Sequence, residues 1–174
     1  LMNVPQYPDI VITTQKDTIK CFGNTNAAMT ISASGGAGGY SYGINASAFG
    51  SSNLFTGLAA GVQTAKVRDQ YQCIKSQNVT ITQIDSMVIV PQLTQNLCFK
   101  DSLGKVKFLI SGGTPPYLIS FNGSTSNTID TFTKLPAGTY NYSIRDFYNC
   151  IKNATVTITQ PSQIGISAVI DSVK

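Results

Sequence analysis

The chain repeats itself at a spacing of 77 residues, without a gap. Cys21-Phe22 returns as Cys98-Phe99, Gly35-Gly36 with Tyr40 as Gly112-Gly113 with Tyr117, and Arg68-Asp69 as Arg145-Asp146. Cys73-Ile74-Lys75 returns as Cys150-Ile151-Lys152, and Val79-Thr80-Ile81-Thr82-Gln83 as Val156-Thr157-Ile158-Thr159-Gln160. Residues 11–83 share about 27 identities with their shifted partners, spread along the whole unit. A fixed period sets the architecture before any single residue is read, because each copy is one folding unit. It also bears on function, since a module copied in series supplies length or multivalent contact.

Units of this length fit the lower part of the domain-size range, so each can bury its own small core. All eight acids are Asp, only 11% of residues are charged, and Thr, Ser, Asn, Ile, Val and Tyr are abundant. Such a chain lacks the usual helix formers and is rich in strand formers. No stretch approaches the roughly eighteen apolar residues of a membrane helix, so no membrane insertion is expected in this segment. No signal peptide opens the chain. Leu1 falls within a repeat, so the expectation is a fragment of a longer array whose targeting signal lies elsewhere. The net charge of +4 comes from ten Lys and two Arg scattered singly, apart from Lys105 and Lys107. Nucleic-acid binders cluster their basic residues on one face, and no nucleic-acid partner is expected.

Short strands punctuated by Gly, Asn and Asp turns predict an all-β chain of two tandem immunoglobulin-like sandwiches. In the second unit Val106, Phe108 and Ile110 alternate inward on one strand, with Lys105 and Lys107 outward. Gly112-Gly113-Thr114-Pro115-Pro116 turns the chain. Tyr117, Ile119 and Phe121 face inward on the next strand, before the Asn122-Gly123 turn. Tyr140, Tyr142 and Ile144 face inward on a later strand, and Val156 and Ile158 on the last. The first unit repeats this with smaller residues: Met29, Ile31 and Ala33; Tyr40, Tyr42 and Ile44; Ala65 and Val67. It is therefore expected to be the less stable unit. Gln6, Gln83 and Gln160 fall on the period, each followed by an apolar strand: Ile10–Ile12, Met87–Val90 and Ile164–Ile170. The expected division is 1–9 as the end of a preceding repeat, 10–83 and 84–161 as two full repeats, and 162–174 as the first strand of a third.

The order Cys-Phe-Gly, Gly-Gly-x-x-x-Tyr, Asn-Gly, Leu-Pro-Ala-Gly-Thr-Tyr, Arg-Asp-x-x-x-Cys, Val-Thr-Ile-Thr-Gln-Pro resembles the SprB repeat of giant surface adhesins of gliding Bacteroidota. The second unit carries the fuller set, at Gly112, Gly113, Pro116, Tyr117, Asn122, Gly123, Leu135 to Tyr140, Asp146 and Cys150. The first departs at Gly39, Ala46 and Val62-Gln63 but keeps the spacing. The resemblance implies an immunoglobulin-like or polycystic-kidney-type sandwich. It also implies a long filament exported by the type IX route to the cell surface, acting in attachment and gliding motility. Implied partners are neighbouring repeats of the same chain and a surface polysaccharide or substratum.

No His is present, which removes the commonest general base and metal ligand. No G-x-S-x-G elbow activates a Ser, and the only acids repeated in register, Asp69 and Asp146, stand one per unit. Neither catalysis, a metal nor a cofactor is expected. The four cysteines are the strongest chemical signal: an even count in a small surface domain implies disulfides. The leading pairing is within units, Cys21–Cys73 and Cys98–Cys150, each closing a loop of roughly 50 residues that stabilises its unit by about 3–4 kcal/mol. A strand order A-B-C-C′-E-F-G would instead put the two cysteines of one unit at opposite ends, favouring Cys21–Cys150 between repeats; disulfide geometry admits only one scheme.

Arg68 and Arg145, each followed by Asp, suit either a repeated ligand clamp or an Asp-capped turn with Arg over the sheet edge; the second is favoured. Alternation sends most tyrosines into the core, leaving Tyr71 and Tyr148 in a turn as candidate ligand contacts. They would serve the alternative function, a carbohydrate- or protein-binding module appended to a secreted enzyme. Asp17-Thr18-Ile19, Asp85-Ser86-Met87, Asp101-Ser102-Leu103 and Asp171-Ser172-Val173 resemble the Asp-Ser/Thr-aliphatic O-glycosylation sequon of Bacteroidota. The resemblance nominates Thr18, Ser86, Ser102 and Ser172 as modification sites.

Overall fold

The computed structural model describes residues 6–168, which form twelve strands and no helix. The chain divides into two units, Leu1–Ser86 and Met87–Lys174. In unit 1 the strands are β1 (Val11–Lys16), β2 (Ala27–Ser34), β3 (Ser41–Ile44), β4 (Leu54–Leu58), β5 (Gly61–Arg68) and β6 (Ile74–Ile81). They form two antiparallel three-stranded sheets, ordered β1-β2-β4 and β3-β5-β6. Unit 2 repeats the plan with β7 (Val88–Thr94), β8 (Gly104–Ser111), β9 (Leu118–Phe121), β10 (Thr131–Leu135), β11 (Gly138–Arg145) and β12 (Ile151–Ile158). Its sheets are ordered β7-β8-β10 and β9-β11-β12. Each unit is thus an A-B-E sheet facing a C-F-G sheet, the immunoglobulin-like sandwich expected. No separate C′ strand forms among the described residues; after β3 and β9 the chain folds back in the single bridges Tyr42↔Gly50 and Ile119↔Asn127.

Period-two alternation decides which side chains are buried. In unit 1 Met29 and Ile31 of β2, Ile44 of β3 and Ala65 and Val67 of β5 meet Ile10, Ile12 and Val79 between the sheets. In unit 2 Val106, Phe108, Ile119, Phe121, Tyr142, Ile144 and Val156 fill the equivalent space with Met87. The sequence reading of inward residues therefore describes both cores. Between β2 and β3 the Gly35-Gly36 turn has φ of +75° and +57°. A Cβ at Gly35 would lie 2.1 Å from the Asp9 carbonyl oxygen, so only glycine lets the chain lead-in pass this close.

The described part of the third segment, residues 162–168, forms no strand, and Ile164 and Ile166 stand 87% and 92% exposed. At the equivalent position in the two units, Ile10 and Met87 are buried.

Candidate functional site at the unit ends

The chain enters unit 1 beside the turn between β5 and β6. Gly36 N–H donates to the Pro8 carbonyl at 2.8 Å, the Tyr7 and Tyr71 rings lie 5.6 Å apart, and Lys75 pairs with Asp9 at 3.7 Å. This is the proximal end. The turn there is built on one carboxylate. Asp69 Oδ1 accepts the N–H groups of Tyr71 (2.9 Å) and Cys73 (3.0 Å), and Oδ2 accepts the N–H of Ala37 (3.1 Å). Asp146 repeats the arrangement with Tyr148 (2.9 Å), Cys150 (2.9 Å) and Thr114 (3.0 Å). Both carboxylates are only 3% exposed. Burial alone would raise the Asp69 pKa, but backbone donors from Ala37, Cys73 and Tyr71 outweigh it and hold the carboxyl below its ordinary value. These bonds account for the repeated Asp as a cap for its own turn and a tie to the glycine turn.

The neighbouring arginine does not join it in a clamp. Arg68 lies over the Phe49 ring, 4.7 Å from its centroid, and its Nε donates to Ser41 Oγ at 3.3 Å. Unit 2 has Ser126 where unit 1 has Phe49.

The opposite, distal end of each unit carries the Cys-Phe turn. Asn24 N–H donates to the Cys21 carbonyl at 3.2 Å, and Gly23 N–H to the Gln83 side chain at 2.9 Å. In unit 2 Asp101 N–H donates to the Cys98 carbonyl at 3.2 Å, and Lys100 N–H to Gln160 at 2.8 Å. The repeated glutamines thus pin the Cys-Phe turn beside the place where each unit's last strand ends.

This placement corrects the leading disulfide scheme. Cys21–Cys73 and Cys98–Cys150 do not form: Cys73 and Cys98 are free, exposed thiols, whereas Cys21 and Cys150 are each disulfide-bonded. The physical reason is strand length. Cys73 precedes β6 and the Cys21 turn lies beyond its other end. Eight residues at about 3.3 Å each put roughly 25 Å between them, against the 7 Å or so that a disulfide spans.

Of the candidate ligand contacts, Tyr71 and Tyr148 are both exposed in their turns. Tyr71 borders a hollow of about 430 Å³ with Tyr7, Asp9, Cys73, Ile74 and Lys75. Its hydrogen bond with Tyr7 raises the Tyr7 phenol above its ordinary pKa. Tyr148 instead meets Phe147 edge-on at 5.0 Å. Sequence reasoning missed Tyr7, whose equivalent in unit 2 is Ile84, because nothing repeats there to mark it. Of the nominated modification sites, Thr18 and Ser102 are exposed, Ser86 is half-buried, and Ser172 lies outside the described residues. Among the described residues, no group of three His, Cys, Asp or Glu could hold a metal ion.

Residues 13–49 match the SprB repeat. The matched SprB segment runs from within β1 through the Cys21-Phe22 turn, β2, the glycine turn and β3, so it falls in the unit whose motif set is less complete. No curated protein sequence matches the chain. Among solved structures, a C-terminal intimin fragment in complex with the intimin-binding domain of its translocated receptor is similar over 87% of this chain and 64% of its own. It shares 13% identity with a TM-score of 0.41. The N-terminal eight immunoglobulin domains of Down syndrome cell adhesion molecule cover 87% of this chain, which spans 24% of theirs, at 13% identity and a TM-score of 0.46. The two immunoglobulin domains of DIP-gamma cover 90% of this chain and 99% of their own, at 10% identity and a TM-score of 0.41.

Proposed function

We propose that this chain is a non-catalytic structural segment of a long secreted bacterial adhesin, displayed at the cell surface and serving attachment and gliding. The observation that carries the reading is the SprB-repeat match at residues 13–49, set within a unit that recurs after 77 residues. In such an array each sandwich adds length, and many weak contacts add up to attachment by avidity. In this reading residues 162–174, the last six of which lie outside the described residues, would supply the first strand of a third unit. The exposure of Ile164 and Ile166 supports this, since these side chains have no sheet to pack against.

Consecutive units in this reading are joined covalently by Cys21–Cys150. Supporting it are the disulfide-bonded state of both residues, the free thiols of Cys73 and Cys98, and the opposite ends that the two cysteines of one unit occupy. Exposed Thr18 and Ser102 are the better placed of the nominated O-glycosylation sites, and native protein with no added glycan mass would remove them.

Surface labelling tests the reading. An antibody against the two-unit chain should stain intact producing cells and reduce their attachment to a solid surface. Staining only after permeabilisation would contradict it. The binding-module alternative draws on the hollow at Tyr71; saturable binding to one sugar class on a glycan array would favour it over a spacer.

A further inference from the structure

The two free thiols stand at complementary ends of the repeat. Cys73 is exposed at the proximal end of unit 1, bordering the hollow beside Tyr71. Cys98 is exposed at the distal end of unit 2, where it opens the turn Cys98-Phe99-Lys100-Asp101. At the equivalent positions the states are reversed: Cys150 and Cys21 are disulfide-bonded. Neither unit is therefore closed by a disulfide between its own two cysteines.

We propose that the hollow beside Cys73 is a receptor for the Cys-Phe turn at the distal end of another unit of this kind, and that Cys73 forms a disulfide with that turn's cysteine. The inference rests on the structural-repeat reading and adds a specific docking site to it. Three features fit this occupant. The hollow offers the paired rings of Tyr7 and Tyr71 and the exposed side chain of Ile74. The incoming turn presents an outward phenylalanine beside its cysteine, 57% exposed at Phe22 and 38% at Phe99, suited to ring-on-ring contact. Both thiols sit on fixed backbone, because Asp69 holds the Cys73 N–H while the Cys98 carbonyl and the Lys100 N–H are each bonded. Docking distal end to proximal end is a heterologous contact, which generates an open linear chain rather than a closed dimer.

Bond formation needs a disulfide oxidant, such as oxidised glutathione. The Cys73 thiolate attacks its sulfur–sulfur bond and releases one glutathione thiolate, which takes up a proton. The turn's cysteine, as thiolate, then attacks the Cys73 sulfur of the mixed disulfide and releases the second glutathione. Two thiols are oxidised and one glutathione disulfide is reduced.

The experiment uses the whole chain, with a second copy of itself as the probe, in a buffer of oxidised and reduced glutathione. Products are read on a non-reducing gel and by peptide mapping. Linear oligomers are expected, with Cys73–Cys98 bonds outnumbering each symmetric bond by about ten to one, a modest docking preference in energy. Cys73→Ser should leave no ladder. Tyr71→Ala, at an exposed site, should keep the fold by circular dichroism and return the three pairings to statistical proportions. A statistical mixture from the parent chain, or glutathione adducts without chain-to-chain bonds, would overturn the proposal. Because the purified chain is the reagent, this result is independent of surface labelling, and either can fail alone.

Discussion

The two units share one fold but fill it differently. Unit 2 packs an aromatic cluster: Phe108 lies 4.6 Å from Tyr142 and 6.1 Å from Phe121, and Phe121 stacks on Phe132 at 4.4 Å and on Tyr140 at 5.3 Å. Of those five positions only Phe55 is aromatic in unit 1, where the others are Ile31, Ala65, Ile44 and Gln63. Gln63 imitates Tyr140: its side-chain N–H donates to the Ala59 carbonyl as the Tyr140 hydroxyl donates to that of Pro136. Unit 1 compensates at its distal end, where Ile19, Ala27 and Ile81 form a second apolar cluster. The counterparts Asn96 and Gly104 make that place polar in unit 2, with Asn96 accepting from Gly104 N–H at 2.6 Å and donating to the Leu135 carbonyl at 3.0 Å. Sheet topology and turns tolerate this variation because the alternating apolar pattern, more than particular residues, decides which side chains enter a core.

The largest expected effect tests the aromatic cluster. Urea unfolding should show unit 1 melting before unit 2, and Phe108→Ala should cost unit 2 about 3–5 kcal/mol and reverse the order. If unit 2 melts first in the parent chain, the comparison is wrong. Next come the turn carboxylates, where the units should behave alike. Asp146→Ala leaves three part-buried N–H donors without their acceptor and should cost unit 2 about 2–4 kcal/mol by denaturant titration. For Asp69 the folded pKa is depressed, so its contribution is complete above the unfolded value near pH 4 and is lost as pH falls through the folded one. Unit 1 should therefore lose stability only below about pH 4, and Asp69→Asn should flatten that acid limb.

A smaller effect separates the distal ends. Gly104→Ala would put a Cβ 2.5 Å from the Leu135 carbonyl oxygen and should cost unit 2 about 1–3 kcal/mol. Asn96→Ile should also destabilise, and a double-mutant cycle should show the pair coupled; additive costs would argue against a shared network. Smallest is the backbone term. Lys100 and Lys134 hold φ of +62° and +59° where unit 1 has Gly23 and Gly57. Each Lys→Gly should raise the stability of unit 2 slightly, by about 0.5 kcal/mol in a denaturant titration, as relief of the left-handed strain exceeds the added unfolded-state entropy.

The strands, their inward residues and the capping role of the repeated Asp were legible because each leaves a local pattern: alternation, or an acid ahead of a turn. The cysteine pairing was not, because a period says which residues are equivalent but not which end of a sandwich they occupy. Only the strand-length separation of Cys73 from the Cys21 turn decides that. Asn96 was silent for a similar reason, as its partners, Gly104 and the Leu135 carbonyl, come from elements far along the chain. The hollow at Tyr71 depends on Tyr7, whose place is taken by Ile84 in unit 2, so no repetition marks it.

The repeat places its two cysteines at opposite ends of a unit, so that no disulfide closes either unit on itself. A peptide map of the oxidised chain, digested without reduction, tests it most directly. With the pairing proposed above, the expected result is a Cys21–Cys150 linked peptide with free thiols at Cys73 and Cys98. Peptides linking Cys21 to Cys73 or Cys98 to Cys150 would contradict it.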